Sequence, residues 1–114
     1  MSVTRFKLVF FVPKEKTRRV LEQLFGKFPD ELGKIGNYAQ CAFVTRGTGQ
    51  FMPLESANPA IGKIGQLEYV DEDRVEMIVN DKGEHEELKR AITELKNIHP
   101  YEEVAYDVYK LENF

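Results

Sequence analysis

The chain has 114 residues, which is the length of one domain with a single hydrophobic core. Its residues are 42% hydrophobic and 31% charged, and the formal net charge is -3, which is typical of an ordinary globular domain. The acidic balance speaks against nucleic acid and anionic membrane surfaces as partners. We therefore interpret residues 1–114 as a single domain.

Cysteine usage and the first residues bear on the compartment. The one cysteine, Cys41, excludes an internal disulfide and a zinc site built on several cysteines of one chain. The first apolar run ends at Pro13 and lacks the features of a signal peptide and the length of a membrane span. These features predict a cytoplasmic protein in which Cys41 is a buried, inert thiol within a strand.

The first half of the chain contains two strands around one helix. The segment FKLVFFV is rich in aromatic and β-branched residues, which is typical of a central strand, and the apolar residues after it recur at helical spacing. The segment YAQCAFVTR predicts a second strand in which Tyr38, Cys41 and Phe43 are available for burial. The predicted strand, helix, loop and strand cover residues 6–12, 14–28, 29–37 and 38–46.

The second half begins with a glycine-rich excursion over residues 47–65, which predicts loops or bulged strand ends. A strand at 66–79, a helix at 84–98 and a strand at 104–109 follow. The element order is βαββαβ. It predicts an α+β, ferredoxin-like fold in which two helices cover one face of an antiparallel sheet and a glycine-rich ribbon extends from it.

The segment HPYEE groups a histidine with two carboxylates. His99, Glu102 and Glu103, with a strand residue such as Glu76, are the donor types that hold a divalent metal. The alternative is structural: His99 caps the preceding helix, and Pro100 sets the turn into the last strand. The structural interpretation is favoured, because consecutive residues of an extended segment point to opposite faces.

Two further segments contain candidate site residues. The glycines of GTGQF invite comparison with a phosphate-binding loop, but the full motif is missing and a kinked β-ribbon is the favoured interpretation. The acidic stretch from Glu68 to Glu76 contains one arginine, Arg74. Such a stretch is typical of a solvated face or a subunit contact in which the arginine bridges acids.

Three blocks in order resemble a known family: KLVFFVP, IGNYAQCAFVTRGTGQFMPLESANPAIGKIGQLEYVDEDRVEMIV and HPYEEVAYDVY. They resemble the inserted domain of the Nif-three-like proteins in its free-standing, YqfO-type form. The resemblance spans nearly the whole chain and implies a PII- and CutA-like trimer. The segment FGKFPDELGKIGNY departs from the family pattern. The two-metal site of the flanking domain has no counterpart here, so neither it nor any hydrolase activity is carried over.

The favoured function is a non-catalytic regulatory or interaction module. It would form a homo-oligomer, with a trimer favoured over a dimer, and would bind a small ligand, a metal ion or a protein partner at a subunit cleft. No cofactor is required. The alternatives are a CutA-like divalent-metal protein using His99 with Glu102 or Glu103 and, ranked last, a small enzyme. The candidate ligand or interface residues are Gly47, Thr48, Gly49, Phe51, Asn58, Glu68, Arg74, Glu76 and Tyr101.

Overall fold

The computed structural model describes residues 3–114, in which two helices pack against a four-stranded antiparallel sheet. The strand order is β2-β3-β1-β4, so the predicted βαββαβ fold is confirmed. Neither helix of the described range has both the length and the apolar composition needed to cross a membrane. The elements are β1 (Thr4–Pro13), α1 (Thr17–Lys27), β2 (Phe43–Phe51), β3 (Glu68–Asp81), α2 (Glu86–Ile98) and β4 (Tyr106–Lys110).

The hydrophobic core lies between the helices and one face of the sheet. β1 is central, and the register places its Leu8 between Met77 of β3 and Val108 of β4. Burying each such side chain stabilises the fold by about 1.5–3 kcal/mol. The core consists of alternate strand residues and the apolar helix stripes: Phe6, Leu8, Phe10, Val12, Val20, Leu24, Phe25, Phe28, Leu32, Val75, Met77, Val79, Leu88, Ala91 and Leu95.

The opposite face of the sheet has no helix over it, and we call it the helix-free face. Strand residues alternate between the two faces, so the register assigns Phe11, Arg74 and Thr45 to this face. Val9 lies at its centre, between Glu76 and Asp107 in the register, and is only 1% exposed. The face is therefore mixed in polarity.

The predicted second strand is wrong in position. The structure begins β2 at Phe43, and residues 38–42 form part of the loop before it. Tyr38 and Phe43 are 75% and 67% exposed rather than buried, and Cys41 is a partly buried loop residue. The reason is long-range pairing, because Gly33 donates its N–H to the Ile78 carbonyl and occupies the end of β3.

The segment GTGQF is also not the interrupted ribbon predicted from its glycines. It forms the second half of β2, where Gly47 pairs with Glu72 and Gly49 pairs with Val70 in a regular antiparallel ladder. The irregular connection starts only after Phe51 and runs over residues 52–67. An edge strand tolerates glycine when it is paired with a well-formed neighbouring strand.

Asp73 connects three elements of the fold. Because it is buried, the prediction of a solvated acidic face is wrong for this residue. It is buried on β3, accepts a 2.6 Å hydrogen bond from Thr17 Oγ1 at the start of α1, and forms an ion pair with Arg46 of β2. Burial opposes its ionisation, but the bonds from Arg46 and Thr17 outweigh burial and hold the pKa of Asp73 below its ordinary value. Asp73 therefore joins β3 to α1 and to β2.

Asp81 anchors the start of α2. Its fully buried carboxylate accepts hydrogen bonds from the backbone N–H groups of Gly83 and His85 at 2.9 Å and from Leu88 at 3.3 Å. These include donors that a helix leaves without internal partners in its first turn. Burial opposes ionisation, but the three N–H bonds outweigh it and lower the pKa of Asp81.

Replacing Asp81 by alanine is expected to lower the free energy of unfolding by about 2 kcal/mol, because three backbone N–H groups, of which that of Leu88 is buried, lose their acceptor. The contribution of Asp81 should be complete above about pH 4 and should be lost as pH falls through the lowered, folded-state pKa. Urea unfolding followed by circular dichroism measures both effects. Asp107→Ala, at an exposed strand position, is the control. An unchanged midpoint in Asp81→Ala would contradict this role.

Candidate functional site

An open cavity of about 510 Å³ lies at one end of the helix-free face. One wall is the end of β2 with part of residues 52–61, and the other is the connection from α2 to β4, contributing residues 101–103 and Ala105. Phe11 and Glu72 contribute from the sheet itself. A cavity of this volume is the size that small-molecule sites in proteins have.

The walls of the cavity are mainly apolar. Phe51 stands at the end of β2, and Leu54 and Ile61 follow in the connection to β3. Leu54 is 72% exposed. Phe51 and Tyr101 both line the cavity, and their rings contact each other with centroids 6.1 Å apart and planes tilted by 52°. The walls thus offer apolar and aromatic surface to a bound molecule.

The polar part of the cavity is a tyrosine–carboxylate pair. Tyr101 Oη donates a hydrogen bond to Glu72 Oε2 at 3.1 Å, and both side chains are half-buried. Burial, and then the negative charge of Glu72 with its hydrogen bond, raise the pKa of Tyr101 above its usual range. Tyr101 therefore stays protonated at neutral pH and donates its O–H as a hydrogen bond to Glu72.

Gly49 makes room for the Glu72 carboxylate. A methyl group at position 49 would overlap Glu72 Oε1, whereas the same group at Gly47 would meet open space. The absence of a side chain on Gly49 lets the carboxylate lie over β2. Gly49 is therefore required by the position of Glu72 rather than by an unusual backbone angle.

His99 fixes the wall that carries Tyr101. Its ring is buried, and Nε2 lies 2.6 Å from the Phe11 carbonyl of β1, so Nε2 carries the proton and donates it. Nδ1 then accepts the Tyr101 backbone N–H at 3.1 Å. Burial lowers the pKa of His99 below its ordinary value of 6.5, although the bond to Phe11 and the charge of Glu72 oppose this. His99 is thus a neutral structural residue.

No family model matches the chain. It is 44% identical over 108 residues to a GTP cyclohydrolase 1 type 2 homolog of Halalkalibacterium halodurans, a match that covers 95% of this chain and 27% of that protein. The protein of the same name from Bacillus subtilis is 42% identical over 106 residues, with coverages of 93% and 26%. A crystal structure of a Bacillus cereus protein related to NIF3 is 36% identical, with a TM-score of 0.75 over 99% of this chain and 27% of that one.

The chain is a homologue of one segment of the NIF3-related proteins. It spans about a quarter of the length of the curated relatives named above. The chain also resembles CutA1, described as a divalent ion tolerance protein, from Ehrlichia chaffeensis. The TM-score is 0.66 at 15% identity, over 100% of this chain and 87% of that one. At such low identity the structural match establishes the fold alone. The match confirms the CutA-like fold predicted from the sequence.

The structure gathers five of the predicted site residues at the cavity: Gly49, Phe51, Tyr101, Glu102 and Glu103. Asn58 lies beside it, because its backbone N–H donates to Glu102 Oε1 at 2.7 Å and ties the two walls together.

The other predicted site residues lie outside the cavity lining. The register assigns Gly47, Glu68, Arg74 and Glu76 to the helix-free face, and Thr48 to the opposite face. Arg74 pairs with one acid, Glu76, at 3.7 Å and lies near the Phe11 ring. These residues therefore remain interface candidates.

The described residues do not form the set of donors that the predicted metal site needs. Within residues 3–114, no group of three histidine, cysteine or acidic side chains is placed to hold a metal ion. Glu102 and Glu103 reach the cavity, but both ring nitrogens of His99 are occupied by Phe11 and Tyr101. Metal binding by His99 would require the loss of these two hydrogen bonds, and it stays a prediction.

Sequence reasoning missed Glu72, Phe11 and the apolar wall of residues 52–61 as parts of a site. A signal for Glu72 was present, because it stands two residues before Arg74 and so shares its face of a predicted strand. A second signal was the group of large apolar residues, Met52, Leu54 and Ile61, in a segment predicted to be a loop. Neither signal by itself places Glu72 against Tyr101.

The neutral state of His99 predicts a pH dependence of stability. Because its pKa is lowered in the folded state, its contribution is complete above about pH 6.5 and is lost as pH falls through the folded-state pKa. The free energy of unfolding should fall between about pH 7 and about pH 5, and His99→Gln should remove the His99 part of this slope. Urea unfolding at several pH values measures it.

The control for this measurement is His85→Asn, because His85 is exposed and has a left-handed backbone conformation that asparagine tolerates. It should keep the slope of the wild-type protein. A His99 ring that titrates at or above pH 6.5 in a carbon-13 NMR experiment would contradict a buried, neutral His99.

Proposed function

We propose that this NIF3-type chain is a non-catalytic, oligomeric binding module that takes a small ligand in the cavity between residues 52–61 and the α2–β4 connection. The cavity itself carries the proposal: it is open, has apolar walls and holds a polar pair on its floor, which is the usual composition of a ligand site. In a longer protein, such a module would regulate or connect the parts beside it.

The lining residues support binding rather than catalysis. Their ionisable side chains are Glu72, Tyr101, Glu102 and Glu103. Tyr101 keeps its proton, and Cys41 is not among the lining residues. His99 has both ring nitrogens bonded to backbone groups. The described lining therefore contains no serine, threonine or cysteine nucleophile and no histidine or lysine base, and Tyr101, with its raised pKa, is a weak nucleophile.

The helix-free face supports an oligomer. Phe43 and Tyr109 lie on this face, on its two edge strands, and both are exposed, as are Met52 and Leu54 in the connection after β2. Exposed apolar side chains together with an edge strand favour association. The resemblance to the PII and CutA proteins implies a trimer, with a dimer as the alternative.

Light scattering coupled to size-exclusion chromatography tests the assembly. We expect a mass of three times the 13.2 kDa chain, and a smaller mass or weaker association for Phe43→Glu, because a charge replaces exposed apolar surface. Gln23→Glu, at an exposed position of α1, is the matched control and should leave the mass unchanged. A strict monomer at the highest reachable concentration would overturn the oligomer.

Binding in the cavity is tested with a panel of small aromatic amines, alcohols and acids. Members of the panel should shift the methyl NMR signals of Leu54 and Ile61, which line the cavity. Ala57→Phe should block these shifts by filling the cavity, and Ser56→Phe, exposed and outside the lining, should not. If no member shifts these signals, the cavity is not a small-molecule site.

A further inference from the structure

We propose that the cavity selects organic cations, in which an ammonium or guanidinium group is carried on an apolar body, and that the cationic group binds at Glu72. This inference rests on the proposed function, because it names the class of ligand for the same cavity. It adds the sign of the charge and the residue that recognises it.

The charge of the lining is of one sign. Three carboxylates line the cavity, Glu72, Glu102 and Glu103, and no lysine, arginine or histidine is among the described lining residues. Ionised carboxylates only accept hydrogen bonds, so these side chains favour a ligand that donates them. A concave site with one sign of charge and apolar walls concentrates ligands of the opposite sign. Anionic ligands are therefore disfavoured.

Three cations of the sheet and of the turn after β1 are paired with other acids. Lys14 lies 3.5 Å from Asp71, Arg46 is bound to the buried Asp73, and Arg74 lies 3.7 Å from Glu76. Each of these acids lies outside the cavity lining. The three lining carboxylates therefore have no ion-pair partner among these three cations.

Glu72 has an oxygen available for a ligand. Oε2 accepts the Tyr101 hydroxyl, and the described side-chain hydrogen bonds include none to Oε1. A half-buried carboxylate with an open acceptor position gains free energy when a charged donor completes it. The Tyr101 oxygen, whose proton points to Glu72, can accept a second N–H from the same cationic group. Ammonium and guanidinium groups have several such donors.

The walls suit the rest of the ligand. Phe51 and Tyr101 present tilted aromatic rings, and a cation near an aromatic face is attracted by the electron density of the ring. Leu54 and Ile61 offer aliphatic surface for an apolar body. A bare metal ion would use none of this surface, and the described residues hold no group of three donors for it. The combination favours an amphipathic organic cation.

The test compares three probes that differ only in their end group: 4-phenylbutylamine, 4-phenylbutan-1-ol and 4-phenylbutanoate. Titrations followed by the methyl signals of Leu54 and Ile61 should show the amine binding about tenfold more tightly than the alcohol, with the acid weakest. Glu72→Gln keeps an acceptor for Tyr101 but removes the charge, so it should abolish the preference for the amine. Glu22→Gln, on the exposed face of α1, should retain it.

A second pair of variants tests the position of the Glu72 carboxylate without changing its charge. Gly49→Ala should displace the Glu72 carboxylate from its place over β2 and reduce the preference for the amine. Gly47→Ala adds the same methyl group to the same strand in open space and should leave the preference unchanged. An equal effect of the two variants would contradict a specific role for the Glu72 position.

The outcomes separate this inference from the proposed function. Equal binding of the three probes would overturn the cation preference and leave the cavity as a ligand site. No binding by any probe would overturn both. A lysine or arginine of a second copy of this chain has the same chemistry as the amine. If dilution alone shifts Leu54 and Ile61, and the amine competes with association, that side chain is the occupant and the small-molecule inference fails.

Discussion

The two helices cover only one face of the sheet, and the rest of the structure depends on this one-sided packing. The core residues of β1 and β3 alternate toward α1 and α2, so one row of side chains on each strand provides the core contacts. The second row forms a mixed face with Phe43 and Tyr109 exposed at its edges. The cavity lies at the end of that face, where the connections after β2 and α2 rise above the sheet.

Three acids of the inner strand β3, Asp81, Asp73 and Glu72, have different environments, which distinguish structural carboxylates from one that is available to a ligand. Asp81 is satisfied by backbone N–H groups at the start of α2, and Asp73 by Thr17 and Arg46. Both hold elements together, and both have lowered pKa values as a result. Glu72 has the Tyr101 hydroxyl on one oxygen and faces the cavity. Incomplete pairing marks Glu72 as the acid that a ligand can reach.

The HPYEE segment has two roles divided along its length. His99 connects the end of α2 to β1 through Phe11 and holds the backbone of Tyr101, so it acts as a positioning residue. Its ring bonds to a strand carbonyl, whereas the sequence predicted contacts with the last carbonyls of the helix. Tyr101, Glu102 and Glu103 then line the cavity. Order in this corner of the molecule therefore depends on a neutral histidine.

The sequence by itself determined the element order, the apolar stripes of both helices and the alternation in the second half of β3, because these follow from local periods of 3.6 and 2 residues. It also indicated the NIF3-type relationship, and it predicted Gly49, Phe51 and Tyr101 as ligand or interface residues. Only the tertiary structure decided the position of β2, the neutral state of His99 and the meeting of Gly49, Glu72 and Tyr101. The physical reason is that these depend on pairing and burial between residues far apart in the chain, for which local periodicity contains no signal.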